Sequence, residues 1–282
     1  MKPILKFAGG KSWIQPYIHQ LIDPILTKDT TYFEPFVGSG AVAFELQHPK
    51  TVINDLNSEL ITLYQVVRDH PAELIKLLKW HQEEHCKEHY YEVRAMDRSA
   101  TWSTVPSIEV AARTLYLNKT CFNGLFRVNS KGYFNTPIGR SSSNKPIDIV
   151  QENAILELSQ FLKTCEICNE SYEFLLEADL KPGDIVFFDP PYVAGEEIKT
   201  SGFVAYQKEG WTQDDLIRLK TVCDVLIERG AEIILTNNNT EFVRDLFKNY
   251  YQKEVAVRHS LNCKGNNRWA NEIILSTRSF PC

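Results

Sequence analysis

One stretch decides the fold of this chain: Phe33-Glu34-Pro35-Phe36-Val37-Gly38-Ser39-Gly40-Ala41-Val42-Ala43. It has the pattern of a strand end, a glycine turn and a helix start, with Gly38, Gly40 and Ala43 spaced as Gly-x-Gly-x-x-Gly/Ala. Glycines at such a turn allow the backbone to approach a nucleotide closely, because they carry no side chain. The stretch therefore predicts a nucleotide-binding βαβ unit.

The segments around this turn alternate between strand and helix patterns. Short apolar runs predict strands, and apolar residues three or four apart predict helices. Thr212 and Asp215 resemble a capping box at the start of one helix, and Gly230 suits its end. Strands are predicted over residues 32–36, 51–54, 185–189 and 232–236, and helices over 41–46 and 212–229. This order predicts an α/β fold with a parallel sheet.

Asp55 follows the second predicted strand, about where dinucleotide-binding folds place an acid that binds a ribose. Its carboxylate is suited to accept hydrogen bonds from the two hydroxyls of a ribose. The glycine turn and this acid together fit either NAD or AdoMet. A glycine turn that binds nothing is the structural alternative.

A block of different character separates the two halves of the predicted sheet. Helices are predicted over residues 58–69, 71–98 and 108–119, followed by a turn-rich piece over 123–140 that contains a hairpin-like Ser130-Lys131-Gly132. The sequence thus predicts one α/β domain, residues 1–57 and 147–282, with an inserted, mostly helical domain, residues 58–146.

Positive charge is concentrated in residues 110–147, which we call the basic segment. It contains no Asp or Glu in a chain whose net charge is −5. Its cations are Arg113, Lys119, Arg127, Lys131, Arg140 and Lys145. Clustering says more about nucleic-acid binding than net charge does, so the segment predicts a phosphate-facing surface. A chance run of solvated charge is the alternative.

Composition narrows the class of protein further. With 43% hydrophobic and 24% charged residues, the chain is typical of globular proteins. We expect no membrane span and no export signal, and therefore a cytoplasmic protein. Seven cysteines, an odd number at scattered positions, predict reduced thiols rather than a disulfide framework.

Asp189-Pro190-Pro191-Tyr192 follows an apolar strand and favours AdoMet over NAD. An adenine amino nitrogen is a poor nucleophile, because its lone pair is delocalised into the ring. The carboxylate of Asp189 and the carbonyl of Pro190, held in a stiff proline turn, can accept its two hydrogens and orient it. Tyr192 can stack on a base extruded from the duplex. A plain strand-ending turn is the alternative for this motif.

Three other patterns are weaker. Gly10-Lys11-Ser12 lacks the preceding strand and earlier glycine of a phosphate-binding loop, so a kinase or ATPase is not expected. His81 to His85 has the spacing of a zinc-protease helix, but Gln82 replaces the general base, which favours a solvated helix face. Cys165 and Cys168 lack a second ligand pair at zinc spacing. We therefore expect no metal.

The motifs together resemble the Dam-type, D12-class N6-adenine DNA methyltransferases of bacteria and their phages. The resemblance spans nearly the whole chain and follows the family's order of motifs. It rests on residues 6–11, 33–40, 54–57, 122–127 (Phe-Asn-Gly-Leu-Phe-Arg), 134–137 (Phe-Asn-Thr-Pro) and 189–192. It implies a Rossmann-like AdoMet-dependent methyltransferase fold, S-adenosyl-L-homocysteine as product, and duplex DNA as partner.

The resemblance also implies residue roles. The cofactor would be lined by Phe7, Gly9, Gly10, Lys11, Pro35, Phe36, Gly38, Gly40, Asp55, Tyr172 and Asp189, with phenylalanine at position 7 in place of the family's common tryptophan. DNA would be contacted from the inserted target-recognition domain and the preceding N-terminal segment by Lys6, Phe122, Asn123, Leu125, Arg127, Pro137 and Arg140.

Some of these roles have alternatives. Arg127 suits the O6 and N7 acceptors of guanine, and Phe122 suits the gap left by an extruded base, with an ordinary core aromatic as its alternative. Phe203 and Tyr206, in the segment 193–210, are expected to close over the target. The resemblance favours GATC as the site, with a longer site such as GATATC as the alternative.

Rival functions remain open from sequence. Asp-Pro-Pro-Tyr suits any planar amino nitrogen, so RNA or a protein glutamine amide is a rival substrate, against which the basic segment argues. A non-catalytic, AdoMet-binding DNA regulator is a rival of another class. We expect a monomer, and the resemblance allows for a cognate restriction endonuclease.

Overall fold

The computed structural model describes residues 1–6, 14–139, 147–192, 211–258 and 269–281. Within these residues seven strands form one sheet in the order β3-β2-β1-β4-β5-β7-β6. The strands are β1 (Tyr32–Glu34), β2 (Thr51–Asn54), β3 (Cys165–Cys168), β4 (Ile185–Phe188), β5 (Glu232–Asn238), β6 (Tyr251–Arg258) and β7 (Trp269–Ser276). The helices are α1 (Gln15–Ile22), α2 (Ala43–Leu46), α3 (Ser58–Asp69), α4 (Pro71–Glu83), α5 (Lys87–Ala95), α6 (Ser107–Thr120), α7 (Glu152–Leu162), α8 (Gln213–Glu228) and α9 (Glu241–Leu246).

The sheet order places β1 in the interior of the sheet, beside the central strand β4. β1 pairs in parallel with β2 on one side and with β4 on the other. The chain therefore continues to one side after β1 and returns to the other side with β4. Ligands of open α/β sheets bind at such a switch point, outside the carboxyl ends of the strands. The glycine turn after β1 and the motif after β4 both lie at this edge.

Both faces of the sheet are covered, which explains the continuous apolar strands. Successive strand residues alternate between two buried clusters, as the two-residue period of a strand requires. Ile185 and Phe187 pack in the cluster under α1 to α7, whereas Val186 and Phe188 pack in the cluster under α8 and α9. The predicted α/β, Rossmann-like sheet is confirmed.

The far side of the sheet has one reversed strand. β7 pairs antiparallel with both β5 and β6, so it lies between two strands of opposite direction to its own.

The sequence predictions did not include β3, β6 or β7, nor α1, α7 or α9. Strands β1, β2, β4 and β5, helices α2, α3, α6 and α8, and the Thr212–Asp215 capping box match the predictions to within two residues.

Five of the described helices, α3 to α7, lie between β2 and β3 in the chain, and α3 to α6 fall within the predicted insertion, residues 58–146. The single helix predicted over 71–98 is wrong. It breaks after Glu83, and α5 begins at Lys87 with Cys86 as an extended N-cap residue. No Gly or Pro marks the break. The break brings Nδ1 of His81 within 2.9 Å of Nε2 of His89.

His81 does not lie on a solvated helix face, which corrects the expectation for residues 81–85. Its ring is buried against Tyr116 of α6, with a centroid separation of 4.8 Å. Burial, followed by the nearby His89, lowers the pKa of His81 to about 4. The neutral ring fits this apolar position between α4 and α6 because burial disfavours the charged form.

Arg113 is not part of a phosphate-facing surface, contrary to the prediction for the basic segment. Its side chain is only 1% exposed and forms ion pairs with Glu59 at 3.0 Å and Asp97 at 2.8 Å. It also donates to the carbonyls of Val93 and Arg94. Arg113 therefore joins α3, α5 and α6 in the interior of the helical insertion.

Lys119 is a second cation of the basic segment that the structure buries. Its Nζ donates to Oε1 of Gln151 at 2.6 Å. Burial, followed by the charge of Lys6, lowers its pKa to about 8. Of the other four cations, Lys131 is exposed, Arg127 is half-buried, and Arg140 and Lys145 lie outside the described residues.

No helix in the described part of the chain is both long and apolar enough to cross a membrane.

Candidate active site

The glycine loop after β1 has the geometry that its sequence predicts. Gly40 has φ +70°, and a Cβ there would lie 2.3 Å from the ring of Phe44, so no larger residue fits. Gly38 also has a positive φ, and its amide donates to Oδ2 of Asp55 at 3.0 Å. The hydroxyl of Tyr64 donates to the Gly38 carbonyl at 2.6 Å. These contacts fix the loop directly against the end of β2.

Asn54 connects three loops at this edge. Its amide nitrogen donates to the carbonyls of Pro35 and Glu170, each at 3.0 Å, and its oxygen accepts from the Glu170 amide at 2.8 Å. The loops after β1, β2 and β3 are thus held together by one buried side chain. Asp55, adjacent in sequence, accepts amide hydrogens from Gly38 and Asn57.

Three aromatic rings form a wall beside the glycine loop. The Phe36 ring lies 5.4 Å from that of Tyr172 and 5.7 Å from that of Trp211, centroid to centroid. Trp211 is buried, and its Nε1 has no hydrogen-bond partner among the residues that the structure describes. An indole N–H ordinarily finds an acceptor when buried, so this donor is suited to a ligand atom.

Glu34 lies beneath the glycine loop. Its Oε2 accepts hydrogen bonds from the Tyr32 hydroxyl at 2.9 Å and from the Ala43 amide at 2.8 Å. Burial raises the pKa of Glu34 to about 8, against the lowering effect of these two hydrogen bonds. Its side chain therefore links β1 to the first residue of α2 as part of the scaffold.

The Asp-Pro-Pro-Tyr motif follows β4 directly. Asp189 is half-buried, and its Oδ1 accepts a hydrogen bond of 2.6 Å from the hydroxyl of Thr236. Thr236 lies on the adjacent strand β5 and is fully buried. The contact fixes one carboxylate oxygen of Asp189, which follows β4 at the same sheet edge as the glycine loop.

Tyr192 is anchored at its hydroxyl end. The hydroxyl donates to Oε2 of Glu272 at 2.6 Å, while the residue as a whole is half-buried. Burial, followed by the negative charges of Asp189 and Glu272, raises the pKa of Tyr192 well above its usual value. The phenol therefore keeps its proton and acts as the donor.

Most of the predicted DNA contacts share one surface. Lys6, Phe122, Asn123 and Pro137 are exposed, and Leu125 is half-buried. The Phe122 amide donates to the Pro137 carbonyl at 2.9 Å, which ties the two loops together. Phe122 is 37% exposed, so the alternative of an ordinary core aromatic is wrong.

Asn118 of α6 holds this surface against the N-terminal segment. Its side chain accepts from the Lys6 amide at 2.8 Å and donates to the Lys6 carbonyl at 2.7 Å. It also approaches the Gly124 carbonyl at 3.4 Å. At Gly124, with φ +66°, a Cβ would lie 2.6 Å from Cβ of Lys6. The exposed loop therefore packs tightly on the residues that lead into the segment 7–13.

Arg127 is held by its neighbour in the turn-rich piece. Its Nε donates to Oδ1 of Asn135 at 2.7 Å, and the Arg127 carbonyl accepts from the Asn135 amide at 2.9 Å. Within the described residues, Nη1 has no acceptor. The guanidinium is therefore held in one orientation, and the N–H groups on its outer edge can still donate hydrogen bonds.

Several predicted site residues lie outside the described residues: Phe7, Gly9, Gly10, Lys11, Arg140, Phe203 and Tyr206. Sequence reasoning also missed four side chains that the structure brings to the site: Asn54, Trp211, Thr236 and Glu272. Asn54 was visible as part of the motif 54–57. The other three lie distant in sequence from every motif they contact, and no local signal marks them.

Among the described residues, no group of three or more His, Cys, Asp or Glu side chains is arranged to hold a metal ion.

Comparison with known proteins identifies the family. The model for D12 class N6 adenine-specific DNA methyltransferases matches residues 7–261. The chain belongs to this family. It is therefore an adenine-specific DNA methyltransferase that uses AdoMet as methyl donor, and DNA is its substrate, as the motifs predicted.

Three relatives show which known proteins this methyltransferase is similar to. Type II methyltransferase M1.LlaDCHI of Lactococcus lactis subsp. cremoris is 36% identical, over 95% of this chain and 92% of the relative. Type II methyltransferase M.MjaIII of Methanocaldococcus jannaschii is also 36% identical, over 95% of each chain. The DNA adenine methylase of Escherichia coli strain K12 is 29% identical, over 95% and 91%.

The described residues of the methyltransferase fit AdoMet chemically. The carboxylate of Asp55 suits the ribose, and the rings of Phe36 and Tyr172 suit the adenine. Nε1 of Trp211, which has no partner within the described part of the chain, suits an acceptor on the nucleoside. All of these groups lie at the switch point of the sheet, where α/β folds bind nucleotides.

Proposed function

We propose that the chain methylates N6 of adenine in duplex DNA at GATC sites. The observation that carries the chemistry is the position of the Asp189 carboxylate, which Thr236 fixes at the same sheet edge as the glycine loop. The choice of GATC rests on the resemblance of the chain as a whole to the Dam-type enzymes, among which enzymes with similar Phe-Asn-Gly motifs also read longer sites. GATATC is the alternative site.

The proposed catalytic residues are Asp189, Pro190 and Tyr192. Bound AdoMet supplies an electrophilic methyl group and leaves as S-adenosyl-L-homocysteine. The Asp189 carboxylate and the Pro190 carbonyl would accept hydrogen bonds from the two N6 hydrogens, which directs the nitrogen lone pair out of the ring plane. As the N6–methyl bond forms and the sulfur–methyl bond breaks, one N6 proton is lost to solvent. Tyr192 stacks on the extruded adenine and offsets part of the cost of unstacking. Asp189 orients the amine and forms no covalent bond with it.

The proposed cofactor site combines described and undescribed residues. In the described part, Asp55 binds the ribose hydroxyls, while Phe36 and Tyr172 contact the adenine. The full proposed set is Phe7, Gly9, Gly10, Lys11, Pro35, Phe36, Gly38, Gly40, Asp55, Tyr172 and Asp189, to which the structure leads us to add Trp211.

We further propose that residues 58–146 form the target-recognition domain and that residues 1–57 and 147–282 form the catalytic domain. Exposed Phe122 is suited to enter the stack that the extruded base leaves, as apolar wedges do in other complexes. The proposed DNA contacts are Lys6, Phe122, Asn123, Leu125, Arg127, Pro137 and Arg140. One chain carries all of these groups, which supports a monomer, and a cognate restriction endonuclease is a further proposed partner.

Arg127→Ala is expected to relax base preference more than it weakens DNA binding. The outer edge of the Arg127 guanidinium is free to donate to guanine, and loss of a bidentate contact to guanine costs about 1–3 kcal/mol of discrimination. The ratio of kcat/KM for GATC to that for duplexes with one guanine replaced should therefore fall by about tenfold or more.

Lys6→Ala is the matched control for Arg127→Ala. Lys6 is exposed and also lies on the proposed DNA surface, but an ammonium group suits phosphate. Its loss should weaken binding to all sequences equally and lower the salt dependence by about one unit of slope. If Arg127→Ala gave this same pattern, Arg127 would be a phosphate contact rather than a base contact.

The proposed site is tested with three duplexes that contain GATC, GATATC or a scrambled sequence, each incubated with methyl-labelled AdoMet. Label on the GATC duplex alone supports the proposal, and label on the GATATC duplex alone replaces it with the longer site. Binding to duplex DNA without transfer to any nucleic acid would favour the rival of a non-catalytic regulator. Label on RNA or on a glutamine peptide instead of DNA would favour the other rivals.

A further inference from the structure

Glu272 is the buried acid nearest to the proposed catalytic tyrosine. It lies on β7, opposite Asn238 of β5 and Val255 of β6, and it is only 1% exposed. Asn238 is the last residue of β5, so Glu272 lies at the edge of the sheet where the proposed site is found. The 80 residues that separate Glu272 from Tyr192 explain why no motif includes both.

The contact between these residues is short. The O–H···O distance of 2.6 Å lies within the range of charge-assisted hydrogen bonds, which are about twice as strong as neutral ones. The raised pKa of Tyr192 keeps the phenol protonated, so the proton lies on Tyr192 and Glu272 is the acceptor. A carboxylate at such a buried position is stable only with donors of this kind.

The consequence for Tyr192 is geometric. Its hydroxyl is fixed by Glu272 while the residue as a whole is half-buried, so this hydrogen bond restricts the orientation of the ring beside Asp189. Asp189, three residues earlier, is fixed in the same manner by Thr236 of β5. Two neighbouring strands, β5 and β7, therefore hold the two ends of the Asp-Pro-Pro-Tyr motif in one orientation.

We propose that Glu272 is a positioning residue, which fixes the Tyr192 ring as the surface on which the extruded adenine stacks. This inference rests on the proposed role of Tyr192. Positioning within a fraction of an ångström matters for transfer, because the amine must be aligned with the methyl group. Loss of the hydrogen bond should then lower kcat and leave the binding of AdoMet and of DNA unchanged.

The test is a double-mutant cycle with Glu272→Gln and Tyr192→Phe. Each single substitution should lower kcat by about tenfold, the factor expected for loss of one charge-assisted hydrogen bond. The double variant should be no slower than the slower single variant, because both act on the same contact: Glu272→Gln removes its negative charge and Tyr192→Phe removes its donor. Dissociation constants for AdoMet and duplex DNA should stay within about twofold of the wild-type values.

A second readout follows the base itself. With 2-aminopurine at the target position, stacking on an aromatic ring quenches the fluorescence of the extruded base. Glu272→Gln should therefore leave the extruded 2-aminopurine brighter than the wild-type enzyme does. Glu232→Gln, at the opposite end of β5, where Glu232 pairs with Thr277 and Arg278, is the control and should change neither kcat nor fluorescence.

Distinct outcomes overturn distinct claims. If the two substitutions lower kcat by independent, multiplicative factors, or if Tyr192→Phe alone retains wild-type kcat, the positioning role of Glu272 is wrong. If Glu272→Gln lowers the thermal midpoint of unfolding, its loss of turnover has a second cause. The kcat of Tyr192→Phe then decides whether the hydrogen bond positions the ring. If Tyr192→Ala retains wild-type turnover, the proposed stacking role of Tyr192 itself is wrong.

Discussion

Asp189→Ala is expected to lower the turnover of methyl transfer by about 100- to 1,000-fold or more, the loss that follows removal of one preorganised charge-stabilising group. The carboxylate is the only charged acceptor that the Asp-Pro-Pro-Tyr motif offers to the amine. Affinity for AdoMet should stay within several-fold, because Asp55, Phe36 and Tyr172 are unchanged. Labelled methyl transfer gives the turnover, and calorimetric titration gives the affinity.

Two further variants make this prediction specific. Asp189→Asn keeps the shape of the side chain and an oxygen for Thr236, but it presents an amide to the amine and should be as inactive as the alanine variant. Asp179→Ala removes a solvent-exposed acid, whose 3.8 Å contact with Lys181 is loose, and should retain full turnover. An Asp189→Ala enzyme with wild-type turnover would contradict the role assigned to this carboxylate.

Arg113→Ala is expected to lower the free energy of unfolding by about 3 kcal/mol, because it breaks a buried ion pair with Asp97, which keeps its contact with Arg98, and a second ion pair with Glu59. Arg113 pairs with Asp97 and Glu59 and donates to two carbonyls, so its removal disturbs the contacts among α3, α5 and α6. Equilibrium denaturation in urea measures the change.

Lys131→Ala is the control for Arg113→Ala, since Lys131 belongs to the same basic segment but is exposed. Its free energy of unfolding should change by less than about 0.5 kcal/mol. If Arg113→Ala were as stable as the wild-type protein and instead lost affinity for DNA, Arg113 would be a phosphate contact after all. The burial described above would then be wrong.

The predictable part of the fold is the part with local signals. The glycine turn requires positive φ at Gly38 and Gly40, and the capping box at Thr212 and Asp215 is formed by residues three apart. Both were visible in the sequence. In contrast, β6 and β7 are defined by pairing with each other and with β5, and such pairing is set by contacts that no short window contains.

The break between α4 and α5 shows a second limit. Residues 84–86 contain neither glycine nor proline, and the helical pattern continues through them. The break is favoured by tertiary packing, in which the buried ring of His81 meets His89 and stacks on Tyr116. Helix propensity is a weak prior beside such packing.

The site was predictable where the residues that carry its chemistry are adjacent in sequence. Asp189 to Tyr192 and Asp55 were identified from their order and their position after strands. Thr236 and Glu272 were not, because each acts through a hydrogen bond to a motif that is distant in sequence. Their identity becomes clear only when the sheet order places β5 and β7 beside β4.

The distribution of charge along the sequence led to one wrong prediction. A run of cations without acids suggested a phosphate-facing surface, but the acids that pair with Arg113 lie outside the run, at Glu59 and Asp97. The sequence window could not include them. Only Arg127 and Lys131, among the described cations of the basic segment, have any exposed surface beyond a few per cent.

The most direct test of the account is nucleoside analysis of duplex DNA after incubation with the wild-type enzyme and methyl-labelled AdoMet. The account predicts that all label in the DNA is recovered as N6-methyldeoxyadenosine and that Asp189→Ala, under the same conditions, transfers none above background. Label recovered as a methylated cytosine, or equal label from the wild-type and Asp189→Ala enzymes, would contradict it.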